Sequence, residues 1–161
     1  MGIAGQLACS EELGSSELAQ LFERQVDRSP DAVALVFEDQ TLTYRSLNER
    51  ANRLANTLRR RGVGPEVMVG LCIHRSLEMV VGILGILKAG GAYLPLDPEY
   101  PKQRLAFMLE DADVRVILTT QSLVQELDEH ADALICLDTD WDQIVKEDGE
   151  NVDGMTTPQN L

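Results

Sequence analysis

The stretch VMVGLCIHRSLEMVVGILGILKAGGAYLPL, residues 67–96, decides the fold. Val67–Ile73 and Tyr93–Leu96 are short runs in which apolar residues are nearly continuous rather than alternating, the pattern of strands covered on both faces of a sheet. Between them, Ser76–Ala89 has the length of a helix, with a serine able to cap its start and Gly90-Gly91 able to end it. Its apolar centre, Met79–Leu87, is well short of the ~20 residues that span a bilayer, so it reads as a buried helix. Gly82 and Gly85 are expected to let that helix lie close to the sheet.

Downstream the same alternation continues. A helix is expected over Lys102–Ala112, a strand over Val114–Thr119, a helix around Leu123–Glu129, a strand over Ala133–Leu137 and a polar helix from Trp141 to Lys146. Strand and helix in turn give an α/β fold: a layered parallel sheet with flanking helices joined by right-handed crossovers. Upstream, Leu18, Leu21, Phe22 and Val26 share one helical face, and Ser29-Pro30 stops that helix. Ala32–Phe37 and Thr41–Thr43 flank Glu38-Asp39-Gln40 as a short hairpin. Thr43 then caps a helix whose apolar positions are Leu47, Ala51, Leu54, Ala55 and Leu58, with Gly62 beyond its end. The other face of that helix carries Arg45, Arg50, Arg53, Arg59, Arg60 and Arg61, read as a solvated face with cations suited to a helix C-terminus rather than as an anion site.

The chain has 161 residues, 44% hydrophobic and 25% charged, the balance of one ordinary globular domain. With 27 acidic against 14 basic side chains its net charge is -13, which argues against a nucleic-acid surface. Residues 121–161 hold eleven acids and one base, Lys146, and read as a solvated surface with a mobile end. Residues 1–14 have the composition of a loose leader and residues 149–161 that of a polar linker, leaving 15–148 as the folded part. Cys9, Cys72 and Cys136 are widely spaced and odd in number, so they are expected to be reduced thiols in a cytoplasmic protein. Nothing in the sequence targets a membrane: Gln6 stands where myristoylation needs Ser or Thr.

The sequence presents no catalytic constellation. Gly82, Gly85, Gly90 and Gly91 match neither phosphate-loop pattern, and Gly90-Gly91 fall at the carbonyl-rich end of a helix, where anions are repelled. His74 and His130 lack partners at metal-ligand spacing, and there is no G-x-S-x-G elbow. No catalytic, cofactor-binding or metal residue is therefore assigned.

Two motifs carry a resemblance. Leu87-Lys88-Ala89-Gly90-Gly91-Ala92-Tyr93-Leu94-Pro95-Leu96-Asp97 is similar at each of its eleven positions to the L-K-A-G-x-A-Y-(V/L)-P-(L/I)-D motif of nonribosomal peptide synthetase adenylation domains. Leu42-Thr43-Tyr44-Arg45-Ser46-Leu47 resembles the preceding motif, L-(T/S)-Y-x-E-L, with Ser46 in place of the acid; the substitution weakens a capping box.

The resemblance runs from about residue 17 to 161 and implies the first part of the large N-terminal subdomain of an adenylate-forming enzyme. It also implies that the motif residues Leu42, Thr43, Tyr44, Leu47, Leu87, Lys88, Ala89, Gly90, Ala92, Tyr93, Pro95 and Asp97 are structural. Lys88 is then explained by its place in the last turn of a helix, and Tyr93 by packing.

The intact family uses ATP and Mg²⁺ to convert an amino acid to its adenylate, then passes it to a phosphopantetheine carrier. The lysine-ended phosphate loop of that family is expected beyond Leu161, so this stretch alone is expected not to adenylate. The implied partners are the remainder of the adenylation domain and carrier or condensation domains, with neither nucleic acid nor membrane. Self-association through uncovered sheet surface is also expected. A stand-alone α/β interaction module and a fragment of an acyl-CoA ligase are the alternatives.

Overall fold

The computed structural model describes residues 15–151, which leaves Cys9, the expected leader at 1–14 and the later part of the expected linker outside the described residues. In chain order the elements are α1 (Ser15–Arg28), β1 (Val33–Phe37), β2 (Gln40–Thr43), α2 (Tyr44–Arg60), β3 (Met68–Leu71), α3 (Leu77–Ala89), β4 (Ala92–Pro95), α4 (Lys102–Asp111) and β5 (Val116–Thr119). A 3₁₀ segment (Gln121–Ala133), β6 (Leu134–Cys136) and the single-turn α5 (Trp141–Ile144) follow.

Strands β1 and β2 form the expected antiparallel hairpin, with a register irregularity between Val33 and Leu35. The other four strands form a wholly parallel sheet in the order β4-β3-β5-β6. The chain steps from β3 outward to β4, then crosses back past β3 to β5. Successive right-handed crossovers in opposite directions put their helices on opposite faces of the sheet, and the core divides accordingly. Val69, Leu71, Val116, Leu118 and Ile135 pack with α3, α2 and α1 in the larger cluster. Cys72 and Ile117 pack with Leu105 and Leu109 of α4 in the smaller one.

Strand β5 is buried at all four positions, as continuous apolar sequence requires, whereas β4, at the sheet edge, alternates between half-buried and exposed. The edge leaves Tyr93 38% exposed, so this residue is only partly packed.

Local signals set the helix ends. Thr43 Oγ1 accepts a hydrogen bond from the Ser46 amide at 3.1 Å, and Ser76 Oγ does the same for Met79 at 3.3 Å. Gly90, at φ 92°, ends α3 in the left-handed region that glycine enters without steric cost.

Two expectations need correction. Around Leu123–Glu129 the backbone is not one α-helix but a 3₁₀ segment interrupted at Leu127 and His130. Gly82 does face the sheet, with Leu71 and Leu118 around it, but Gly85 faces Leu54 of α2. A Cβ on Gly85 would fall 2.6 Å from Leu54 Cδ2, so this glycine serves helix–helix rather than helix–sheet contact.

Candidate functional site

The two sequence motifs are far apart in the chain and meet on α1. Tyr44, first residue of α2, lies with its ring centroid 6.1 Å from that of Phe22. Lys88, near the end of α3, places Nζ 5.8 Å from the same Phe22 ring and forms an ion pair with Glu23.

Lys88 is not the solvated helix-end cation that its position suggests. Its side chain is fully buried, while that of Glu23 is 23% exposed. Burial holds the Lys88 ammonium below the usual lysine range, and the hydrogen bond and charge of Glu23 pull it back upward. Buried alone, the charge would be costly; paired, it fixes α1 against α3.

The remaining motif residues build the same frame. Leu42, Leu47, Leu87 and Ala89 are core residues. Ala92 starts β4, its amide donating to the Val67 carbonyl at 3.0 Å. Pro95 ends β4. Just after the strand, Asp97 Oδ1 accepts from the Glu99 amide at 2.9 Å, turning the chain toward α4.

The carboxyl ends of parallel strands, beside the point where strand order reverses, are where open α/β sheets hold ligands. Here that region contains an internal polar tie, Thr119 Oγ1 donating to the Cys72 carbonyl at 2.8 Å. Beside it opens a cleft lined by Arg50, Glu78, Val81, Leu137, Asp138 and Trp141. Arg50 lies over the Trp141 ring at 5.8 Å. Asp138 accepts from the Gln121 amide at 3.0 Å.

The cleft carries charged side chains of both signs, and its lining holds no nucleophile next to a base. His74 is exposed, and burial raises the Cys72 thiol to about 11, with the negative charges of Asp97 and Glu126 adding to the effect. The Cys136 thiol is likewise raised, chiefly by burial. Both are free thiols held protonated at neutral pH.

A triphosphate does not fit the groups described. Gly90-Gly91 present the carbonyl end of α3, and at its amino end the Met79 amide is already taken by Ser76. Among the described residues no group of three or more His, Cys, Asp or Glu could hold a metal ion. No described helix is long and apolar enough to cross a membrane.

The arginine face of α2 is exposed at Arg45, Arg60 and Arg61, as expected, and half-buried at Arg50, Arg53 and Arg59. Arg60 pairs with Glu147 at 3.2 Å, Arg45 pairs with Asp31 at 3.3 Å, and Arg59 Nη2 donates to the Lys88 carbonyl at 3.3 Å. Of these partners Glu147 comes from late in the sequence, Asp31 precedes α2, and Lys88 contributes a backbone carbonyl. Sequence reasoning missed Phe22 and Glu23, whose roles depend on α1 meeting α3. It also missed Asn48, Asn52 and Asn56, whose spacing of four is a visible helix-face signal.

Residues 22–160 match the model of the family described as AMP-binding enzyme. The chain belongs to that family. Among curated proteins it is similar to Gramicidin S synthase 2 of Aneurinibacillus migulanus, 54% identical over 132 residues, covering 82% of this chain and 3% of the relative. It is 46% identical over 148 residues to Zwittermicin A synthase ZmaJ of Bacillus cereus, covering 91% of this chain and 28% of that one. The chain thus spans a small part of the relatives it matches.

A solved nonribosomal peptide synthetase, FmoA3 in its α-methyl-L-serine-AMP bound form, superposes with a TM-score of 0.81 at 36% identity, over 88% of this chain and 16% of that one. The N-terminal subdomain of Klebsiella oxytoca NpsA, at 24% identity and a TM-score of 0.71 over 86% of this chain and 34% of that one, shares the fold. The AMP-binding assignment agrees with the resemblance carried by the two motifs, and the α/β fold is that of an adenylate-forming N-terminal subdomain.

Proposed function

We propose that these residues are the scaffold-forming first part of an amino-acid-activating adenylation domain in nonribosomal peptide synthesis. The observation that carries this reading is the convergence of both family motifs on one partly buried cluster, Tyr44–Phe22–Lys88–Glu23, which supports a framework role for the motif residues. The 54% identity to a gramicidin synthase supports the amino-acid-activating branch.

In the complete enzyme, ATP and Mg²⁺ activate an amino acid as its adenylate, and a phosphopantetheine carrier accepts it. The residues gripping the nucleotide belong to other parts of that domain. The setting is cytoplasmic, and the partners are the remainder of the domain with its carrier and condensation neighbours. On its own the chain associates with itself through the open edge of β4, which light scattering reads as a mass above one copy.

The decisive experiment places residues 22–151 of this chain into the matching region of Gramicidin S synthase 2 and measures amino-acid-dependent ATP–pyrophosphate exchange. The expected result is exchange within about tenfold of the host, with the host's amino-acid preference unchanged, a rate factor equal to about 1.4 kcal/mol. A folded chimera with no exchange would overturn the proposal.

A further inference from the structure

We propose that the face of α2 bearing Asn48, Asn52 and Asn56 is a docking track, and that its occupant is the chain's own segment 147–151, held there as a latch. These asparagines lie one helical turn apart, so their amides form a row along one side of the helix.

Asn56 Nδ2 donates to the Asp148 carbonyl at 3.0 Å, and Asn52 Nδ2 to the Gly149 carbonyl at 2.9 Å. Asn52 and Asn48 both donate to Asn151 Oδ1, at 3.0 and 2.9 Å. Two of these bonds read backbone carbonyls, which any extended segment presents. Charge selects the occupant: Glu147 pairs with Arg60 at 3.2 Å, and the segment's Asp148 and Glu150 add further negative charge beside an arginine-bearing helix.

Close approach is required as well. At Gly149 a Cβ would lie 3.3 Å from Arg53 Nε, so a larger side chain would require the arginine to give by a few tenths of an ångström. Asn52 is completely buried and Asn48 is 8% exposed. Among the described residues, the buried Oδ1 atoms of both have no donor.

The latch therefore holds by a few side-chain contacts. Such a segment opens locally, at a free energy below that of global unfolding. Closed, it fixes the place from which the chain after Asn151 departs, on the α2 side of the sheet.

Three lysines make the opening measurable, because lysyl endopeptidase cuts only after Lys88, Lys102 and Lys146. Lys88 is buried in the core and reports global unfolding, whereas Lys146 is exposed and adjoins the latch. With the full chain under native conditions, Asn52→Ala should speed cleavage at Lys146 about tenfold, the scale of losing one or two buried hydrogen bonds. Cleavage at Lys88 should not change.

Asn151→Ala tests the same contacts from the segment's side, leaves α2 intact, and should act in the same direction. It decides the matter alone if the Asn52 variant fails to fold. Cleavage at Lys146 that stays unchanged, or that rises only in step with Lys88, would overturn the latch.

Discussion

The last turns of α2 and α3 look alike in sequence, and the structure treats them in opposite ways. Each brings cations to a helix C-terminus, Arg59 and Arg60 on α2 and Lys88 on α3. Arg60 is 77% exposed in its side chain and reaches Glu147 across the surface. Lys88 is fully buried and meets Glu23 beneath α1. The contrast shows that a helix-end cation has no fixed worth; the element packed over it decides whether it is screened or desolvated.

The largest test of that contrast is Glu23→Ala, which strands the buried ammonium and should cost about 3 kcal/mol in urea unfolding. The double variant Glu23→Leu with Lys88→Met should recover most of that loss, since an apolar pair of similar size needs no charge compensation. If Glu23→Ala is neutral, the two helix ends are equivalent after all.

The same lysine gives a pH signature. Because its folded value lies below the ordinary 10.5, the unfolded chain binds more protons between the two values. Stability of the wild type relative to Lys88→Met should therefore rise with pH through the folded value, complete its rise by about 10.5, and be lost again as the pH is lowered.

Next in size is the seam joining the two helices. Gly85→Ala drives a Cβ to 2.6 Å from Leu54 Cδ2 and 3.0 Å from its Cβ, and should cost about 2 kcal/mol by overpacking. Gly82→Ala meets the flexible end of Leu71 at 3.0 Å. Its cost should stay below about 1 kcal/mol, because the gain in helix propensity offsets part of the crowding. Equal thermal denaturation shifts in the two variants would contradict the helix–helix role of Gly85.

At the opposite end of α2, Thr43→Ala removes the cap on Ser46 and should cost about 1 kcal/mol by chemical denaturation. Smallest of all, Arg60→Ala should change stability by no more than about 0.5 kcal/mol, whatever the salt concentration. A loss as large as that of Glu23→Ala would erase the distinction from Lys88.

Much of the architecture was legible in the sequence because its signals are local. Continuous apolar runs marked β3 and β5, Thr43 and Ser76 marked helix starts, and Gly90 marked an end. The segment 121–133 was less legible, since Leu123 and Leu127 satisfy a helical spacing while the backbone breaks at Leu127. The motif residues were recognisable as a set, but their meeting point was not. Phe22 and Glu23 are 21 or more positions from either motif partner, and no periodicity links them. The asparagine row was present in the sequence as a spacing of four, yet only the return of residues 147–151 shows what it holds.

By itself the sequence determined the order of strands and helices, the caps that bound them and the family to which the chain belongs. These depend on side-chain pattern and backbone preference within a few residues. Tertiary structure alone decided that Lys88 is buried, that Gly85 faces a helix and that Arg60 of α2 meets Glu147. Burial and charge pairing depend on which distant surface arrives, and that is a property of the packed whole.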